Sequence, residues 1–236
     1  MLAVFKKELH SYFTSVIGYV FLVIYLALGG ALFAYTTLYA MTADVTTFYT
    51  VMLIFSAVLL PLLTMKSFSE ERKIKTEQLL LTSPVSITGM VMGKFLAAYV
   101  MFAGCMIINS LYFLVLNYYA VLKFLILFGN VVAMLLVGMA FISIGLFVSS
   151  LTENQLAAAI GTIAIIAAFL LIGLLSSLFP SSHWFRMYVL NFVSILTRFQ
   201  GFANGYFDIA SLVYYISISA IFLYLTVRVY DRRRSG

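Results

Sequence analysis

Six apolar stretches, each long enough to cross a lipid bilayer, follow one another along this chain and leave little room for anything else. A spanning helix needs about 20 apolar residues at ~1.5 Å of rise each. The spacing predicts spans at about Val16–Leu38, Phe48–Met65, Gly93–Leu116, Phe124–Val148, Leu156–Leu178 and Ile209–Val229. A water-soluble fold cannot hide such a load: the 236 residues are 64% hydrophobic and 9% charged, where soluble domains run near a quarter charged. The expected fold is all-α and integral to the membrane, a single domain over residues 1–236 with no second globular unit. The second span is short and holds Pro61, which predicts a kink or a late start.

Lysine and arginine set the orientation. With six spans both termini share a side, and that side carries Lys6, Lys7, Lys66, Arg72, Lys73, Lys75, Lys94, Arg228, Arg232, Arg233 and Arg234. The other side has only Lys123, Arg186 and Arg198. Positive residues stay inside, so both termini are expected in the cytoplasm. The net charge of +6 therefore reads as a topology signal at span ends, and not as a nucleic-acid surface. No cleavable signal is expected, because the first apolar stretch is too long for one and no cleavage site follows it.

Residues 1–15 read as an interfacial helix. Leu2, Phe5, Leu9, Tyr12 and Phe13 recur at helical steps, with Lys6, Lys7 and His10 on other faces. The external stretch 179–208, with Trp184, Tyr188, Phe199 and Phe202, is expected to form short interfacial helices or a re-entrant turn before span six. No repeat links the two halves of the chain, which argues against an inverted-repeat carrier.

Catalytic groups are missing from the pattern. His10 and His183 fall on opposite sides of the membrane, Cys105 is the only cysteine, and Asp44 and Asp208 are external and far apart in sequence. No zinc-protease, nucleophile-elbow or phosphate-loop motif occurs. No metal site, bound cofactor or enzymatic activity is expected of this chain, and an intramembrane enzyme is disfavoured. At depth the polar groups are neutral: Asn109, Ser110, Asn130, Ser143 and Thr162. The simplest expectation is that they bond between helices. Asn109, Ser143 and Thr162 are the candidates to line a pathway. The absence of intramembrane charges means that the energy for any transport comes from elsewhere. Small residues at four-residue steps (Gly89, Gly93, Ala97; Ala157, Gly161; Gly145, Ser149) suit close helix packing or a dimer seam.

One charged insert, Met65 to Gln78, interrupts the oil. Charges of both signs from Glu70 to Glu77 predict a short amphipathic helix within a cytoplasmic loop, residues 66–92, with Pro84 ending it and Ser86 capping the next. Such a helix between spans two and three suits docking on a soluble partner.

The stretch Lys66-Ser67-Phe68-Ser69-Glu70-Glu71-Arg72, then Thr76, Leu79-Leu80-Leu81-Thr82-Ser83-Pro84-Val85-Ser86 and Gly93-Lys94, resembles the corresponding loop of ABC-2 type transporter permeases. Phe5-Lys6-Lys7-Glu8-Leu9 with Tyr12-Phe13, the run Ile144 to Gln155, and Phe199-x-x-Phe202-x-x-Gly205-x-x-Asp208 resemble the same family in the same order. The nearest branch by resemblance is the compact permeases of gliding-motility and nitrous-oxide-reductase maturation systems. The family often shows Gly-Thr-x-Glu where this chain has Lys75-Thr76-Glu77-Gln78. Lysine in place of glycine favours a continuous helix there.

The resemblance implies a transmembrane subunit of an ATP-driven exporter in a bacterial inner membrane. Two separate ATPase subunits would carry the ATP and magnesium, and a second permease subunit, alike or related, would complete the pathway. The insert would be the coupling helix, with Glu70, Glu71, Arg72, Lys73, Thr76 and Glu77 at the ATPase and Phe68 and Leu80 as apolar anchors. The alternative is a membrane scaffold that transmits force without carrying a solute. Besides the ATPase and the second permease subunit, membrane lipid is the other partner expected; no nucleic acid is.

Overall fold

The chain is described from a computed structural model, which covers residues 1–42, 44–77, 86–118, 124–178, 193–206 and 208–235. α1 (Leu2–Thr14) lies first, and Ser15 leaves it in an extended conformation and caps α2 (Val16–Phe33), accepting from the Gly18 N–H at 3.3 Å. α2 ends in a π-helical stretch, Ala34–Tyr39. α3 (Val45–Thr64) leads into α4 (Lys66–Lys73), and α5 (Ile87–Leu116), α6 (Phe124–Leu151), α7 (Gln155–Leu178), α8 (Ile195–Ala203) and α9 (Ile209–Ser235) complete the order. No strand occurs among the described residues. Six helices are long and apolar enough to span a membrane: α2, α3 with α4, α5, α6, α7 and α9.

Side-chain chemistry sets the helix starts. Asp44 accepts from the Thr46 N–H at 3.0 Å and caps α3; Asp208 accepts from the N–H groups of Ala210 (3.0 Å) and Ser211 (3.2 Å) at the head of α9. The carboxylates of Asp44 and Asp208 are thus caps. Ser86 caps α5 as its sequence position implied, accepting from Gly89 N–H at 3.2 Å. That cap starts the third span at Ile87, ahead of the Gly93 expected, and places Lys94 inside the helix.

α6 is apolar on every face, and such a helix belongs in an interior. It packs against α3, α4, α5, α7, α8 and α9. Two of its glycines let neighbours approach where any side chain would collide: Gly138 faces the Phe102 ring of α5, and Gly145 faces Thr64 of α3. The small-residue stripe on α5 seats α1, since a Cβ on Gly93 would lie 3.1 Å from Met1 O and Phe5 N. These stripes serve packing inside the chain. α1 buries Val4 and Tyr12 and half-buries Phe5 and Leu9, while Leu2 and Phe13 face out.

The neutral polar groups at depth behave differently from expectation. Ser110, Ser143 and Thr162 donate to carbonyls of their own helices, those of Ile107, Ala140 and Ala158. Asn130 alone of the five crosses to another helix, donating to Ala203 O of α8 at 3.1 Å. Asn109 is buried against Gly29 of α2, and neither amide atom has a hydrogen-bond partner. A hydroxyl can reach the carbonyl three or four residues back without a partner helix, which is why the expected cross-helix bonds are not made. Trp184, Tyr188 and most of the expected re-entrant segment lie outside the described residues; the part that is described forms α8, tucked against α6 and α7.

Candidate functional site

The charged insert is built directly on the second span. Met65 keeps helical dihedrals (φ −55°, ψ −33°), so α4 continues α3 toward the end of the bundle where the termini gather. Pro61 sits inside α3 four residues earlier. Between Leu63 and Ser69, polar groups from three other helices enter this joint. Ser149 Oγ of α6 accepts the N–H groups of Phe68 and Ser69, both at 3.1 Å, and donates to Met65 O at 3.0 Å. Tyr12 of α1 donates to Leu63 O at 3.4 Å and lies 3.4 Å from Ser67 Oγ. Burial pushes the Tyr12 phenol well above its usual range, which keeps it a protonated donor.

Lys94 of α5 supplies the third hold. It is 1% exposed, and its ammonium meets Glu8 Oε1 of α1 (2.9 Å), Glu71 Oε1 of α4 (2.9 Å) and Ser67 O (2.8 Å). Three donors find three acceptors, the condition for burying an ammonium. The Phe68 ring lies 5.1 Å below it, and Lys7 adds a looser contact to Glu71 at 3.6 Å.

A second set of bonds ties α4 and the following turn to the end of α6, where unpaired helix carbonyls attract cations. Arg72 pairs with Glu153 (2.9 Å) and donates to Leu151 O (2.9 Å). Arg233 of α9 pairs with Glu77 (3.0 Å) and donates to Ser150 O (2.7 Å). Lys66 pairs with Glu70 along α4 at 3.1 Å.

Two sequence expectations are revised here. The helix does not run through to Glu77: it stops at Lys73, and Lys75 takes φ +60°, the left-handed conformation that glycine adopts freely. Helix propensity at Lys75 was outweighed by the turn, in which Thr76 donates to Glu71 O at 3.3 Å. Phe68 is not an outward anchor; it is fully buried, 5.0 Å from the Tyr230 ring and beneath Lys94. An amphipathic helix built onto a bundle turns its aromatic inward. Glu71, Arg72 and Glu77 are spent on bonds within the chain, and the exposed tip is Lys73, Ile74 and Lys75. Leu80 and Gln78 lie outside the described residues. The candidate pathway residues Asn109, Ser143 and Thr162 sit on α5, α6 and α7, all buried, and no hydrogen bond joins them.

Sequence reasoning overlooked Lys94, Glu8 and Ser149. Each lay within a motif already singled out, but Lys94 was counted as a topology marker and Ser149 as a small residue. A lysine one residue after a glycine, inside what proves to be an apolar helix, was the available signal.

The family model described as ABC-2 family transporter protein matches residues 34–233, most of the chain, from the π-helical stretch that follows α2 to near the end of α9. The chain belongs to the ABC-2 transporter family. No curated protein matches it closely enough to serve as a relative. As an ABC-2 permease it is a multi-pass transmembrane subunit of an ABC transporter. The family is the membrane component of such machines, lacks ATPase activity of its own, and works with an ABC ATPase.

Proposed function

We propose that this ABC-2 permease is one half of the membrane pathway of an exporter. Two copies of a separate ATPase, which carry the ATP and magnesium, act on it through the Lys66–Glu77 segment. The observation that carries this reading is the build of that segment: fixed to α1, α5 and α9 by paired charges and to α6 by hydrogen bonds, it leaves a tip of Lys73, Ile74 and Lys75 exposed. Ile74 is 60% exposed between two lysines. Such a tip suits an apolar pocket with an acidic rim, which gives both anchoring and register. Ile74 thus takes the anchoring role first assigned to Phe68.

In this reading the basic end of the bundle faces the cytoplasm of a bacterial cell, in keeping with the lysines and arginines there. ATP-driven closure of the ATPases displaces the tip, the spans follow as packed bodies, and access switches from one side to the other. A second permease subunit completes the pathway.

Co-purification tests the docking. Replacing Lys73 and Lys75 by Glu and Ile74 by Asp should abolish recovery of the ATPase with the permease while leaving the permease folded in the membrane. Undiminished recovery would rule out the tip as the contact.

A further inference from the structure

A helix of 29 residues running unbroken from Val45 to Lys73 would carry a push on its end straight along its own axis. This one has a joint. At Phe68 and Ser69 the N–H groups point to a hydroxyl from another helix, that of Ser149, and the same hydroxyl donates to Met65 O. A side chain inserted into a helix's hydrogen-bond ladder is a recognised cause of a bend. Ser149 is fully buried, and its oxygen makes all three bonds at 3.0–3.1 Å, so it is a fitted part and not a chance contact. Lys94 takes the neighbouring carbonyl, Ser67 O, and Tyr12 takes Leu63 O. Backbone groups of the joint are thereby bonded to groups from outside the helix.

The helix that supplies Ser149 is α6, which packs against six others, α4 among them. A displacement of α4 is therefore delivered sideways into the centre of the bundle through one hydroxyl. We propose that Ser149 is a positioning residue for coupling: it holds the α3–α4 joint open and links the docking segment to α6. This rests on the reading of Lys66–Glu77 as the ATPase-docking segment, but the bond arrangement can be tested without it.

The experiment compares Ser149→Ala, which removes the hydroxyl, with Ser149→Thr, which keeps it, in the full chain in lipid nanodiscs. Amide hydrogen exchange at Phe68 and Ser69 is the first readout. Exchange at least tenfold faster in the alanine variant, restored by threonine, supports the insertion; unchanged exchange overturns it. The second readout uses spin labels at Lys66, on α4 but off the exposed tip, and at Phe124, the outer start of α6, in a Cys105→Ala background with the ATPase bound. ATP should shift the distance between the two labels to one new value in the wild-type and threonine proteins. In the alanine variant the label at Lys66 should move while Phe124 keeps its distance to a third label at Tyr39. Movement of Phe124 in the alanine variant equal to that of the wild type would overturn the positioning role. If the wild-type chain bound no ATPase, the docking reading would fail, and the exchange measurement would still decide whether Ser149 holds the joint.

Discussion

The basic end of the bundle and its membrane interior are held together by different physics. At the basic end, Lys94, Ser149, Arg72 and Arg233 each bond to an element other than their own, and their partners lie at 2.7–3.1 Å. In the interior, Ser143, Thr162, Ser219 and Thr226 turn their hydroxyls back on their own helices. Tyr25 with Ser56 (3.0 Å) and Asn130 with Ala203 are exceptions, and Asn109 bonds to nothing. Directional bonds fix the basic end as one body. In the interior, non-directional contact between apolar faces holds the spans against one another.

The largest blow to this contrast should come from Lys94→Met. It strands Glu8 and Glu71 in a largely buried site, and breaking a buried pair from one side costs about 3–5 kcal/mol. Thermal unfolding in detergent should show the loss, and Lys94→Met combined with Glu8→Gln and Glu71→Gln should recover most of it. If the triple variant were no more stable than the single one, the charges would not be what holds the basic end.

Gly138→Ala probes the interior. The new methyl meets the Phe102 ring, and overpacking of this kind costs about 1–3 kcal/mol. Here the loss should be insensitive to salt, unlike an exposed pair, because no charge is involved. Asn109→Leu should act in the opposite direction. Removing a buried amide that has no partner stabilises by about 1 kcal/mol, provided the similar shape still fits Gly29. A fall in melting temperature would mean that Asn109 has a partner in the native membrane.

The smallest effect belongs to an exposed cap. Hydrogen bonds from Ser211 and Ala210 lower the Asp208 pKa. A carboxylate whose folded pKa lies below its unfolded value of about 4 contributes its full stability above that value and loses it as the pH falls through the folded one. Asp208→Ala should therefore cost up to about 1 kcal/mol near neutral pH and nothing in strong acid, as read from melting temperatures across the acid range.

The spans were legible because length and hydropathy suffice for them, and Ser86 and α1 because caps and helical spacing are local signals. The joint was not legible. Nothing in the sequence around Met65 announces that a serine 84 residues away enters the backbone there. Lys75 misled because helix propensity describes a side chain in a helix and is silent on a turn that demands positive φ. Phe68 misled for a related reason. In a short amphipathic helix either face can be the buried one, and only the position of Lys94 and Tyr230 decides that the aromatic points inward. Asp44 and Asp208 were seen to lack catalytic company, but their capping role needed the helix starts.

Everything functional depends on the exposed tip meeting an ATPase. A photo-crosslinking residue at Ile74, with a control at Tyr118 just past the C-terminal end of α5, is the direct measurement in membranes that contain the whole transporter. The account predicts capture of a nucleotide-binding subunit from Ile74, changed in yield by ATP, and none from Tyr118. Equal capture from both positions, or labelling of Ile74 by a membrane-impermeant reagent added outside intact cells, would contradict it.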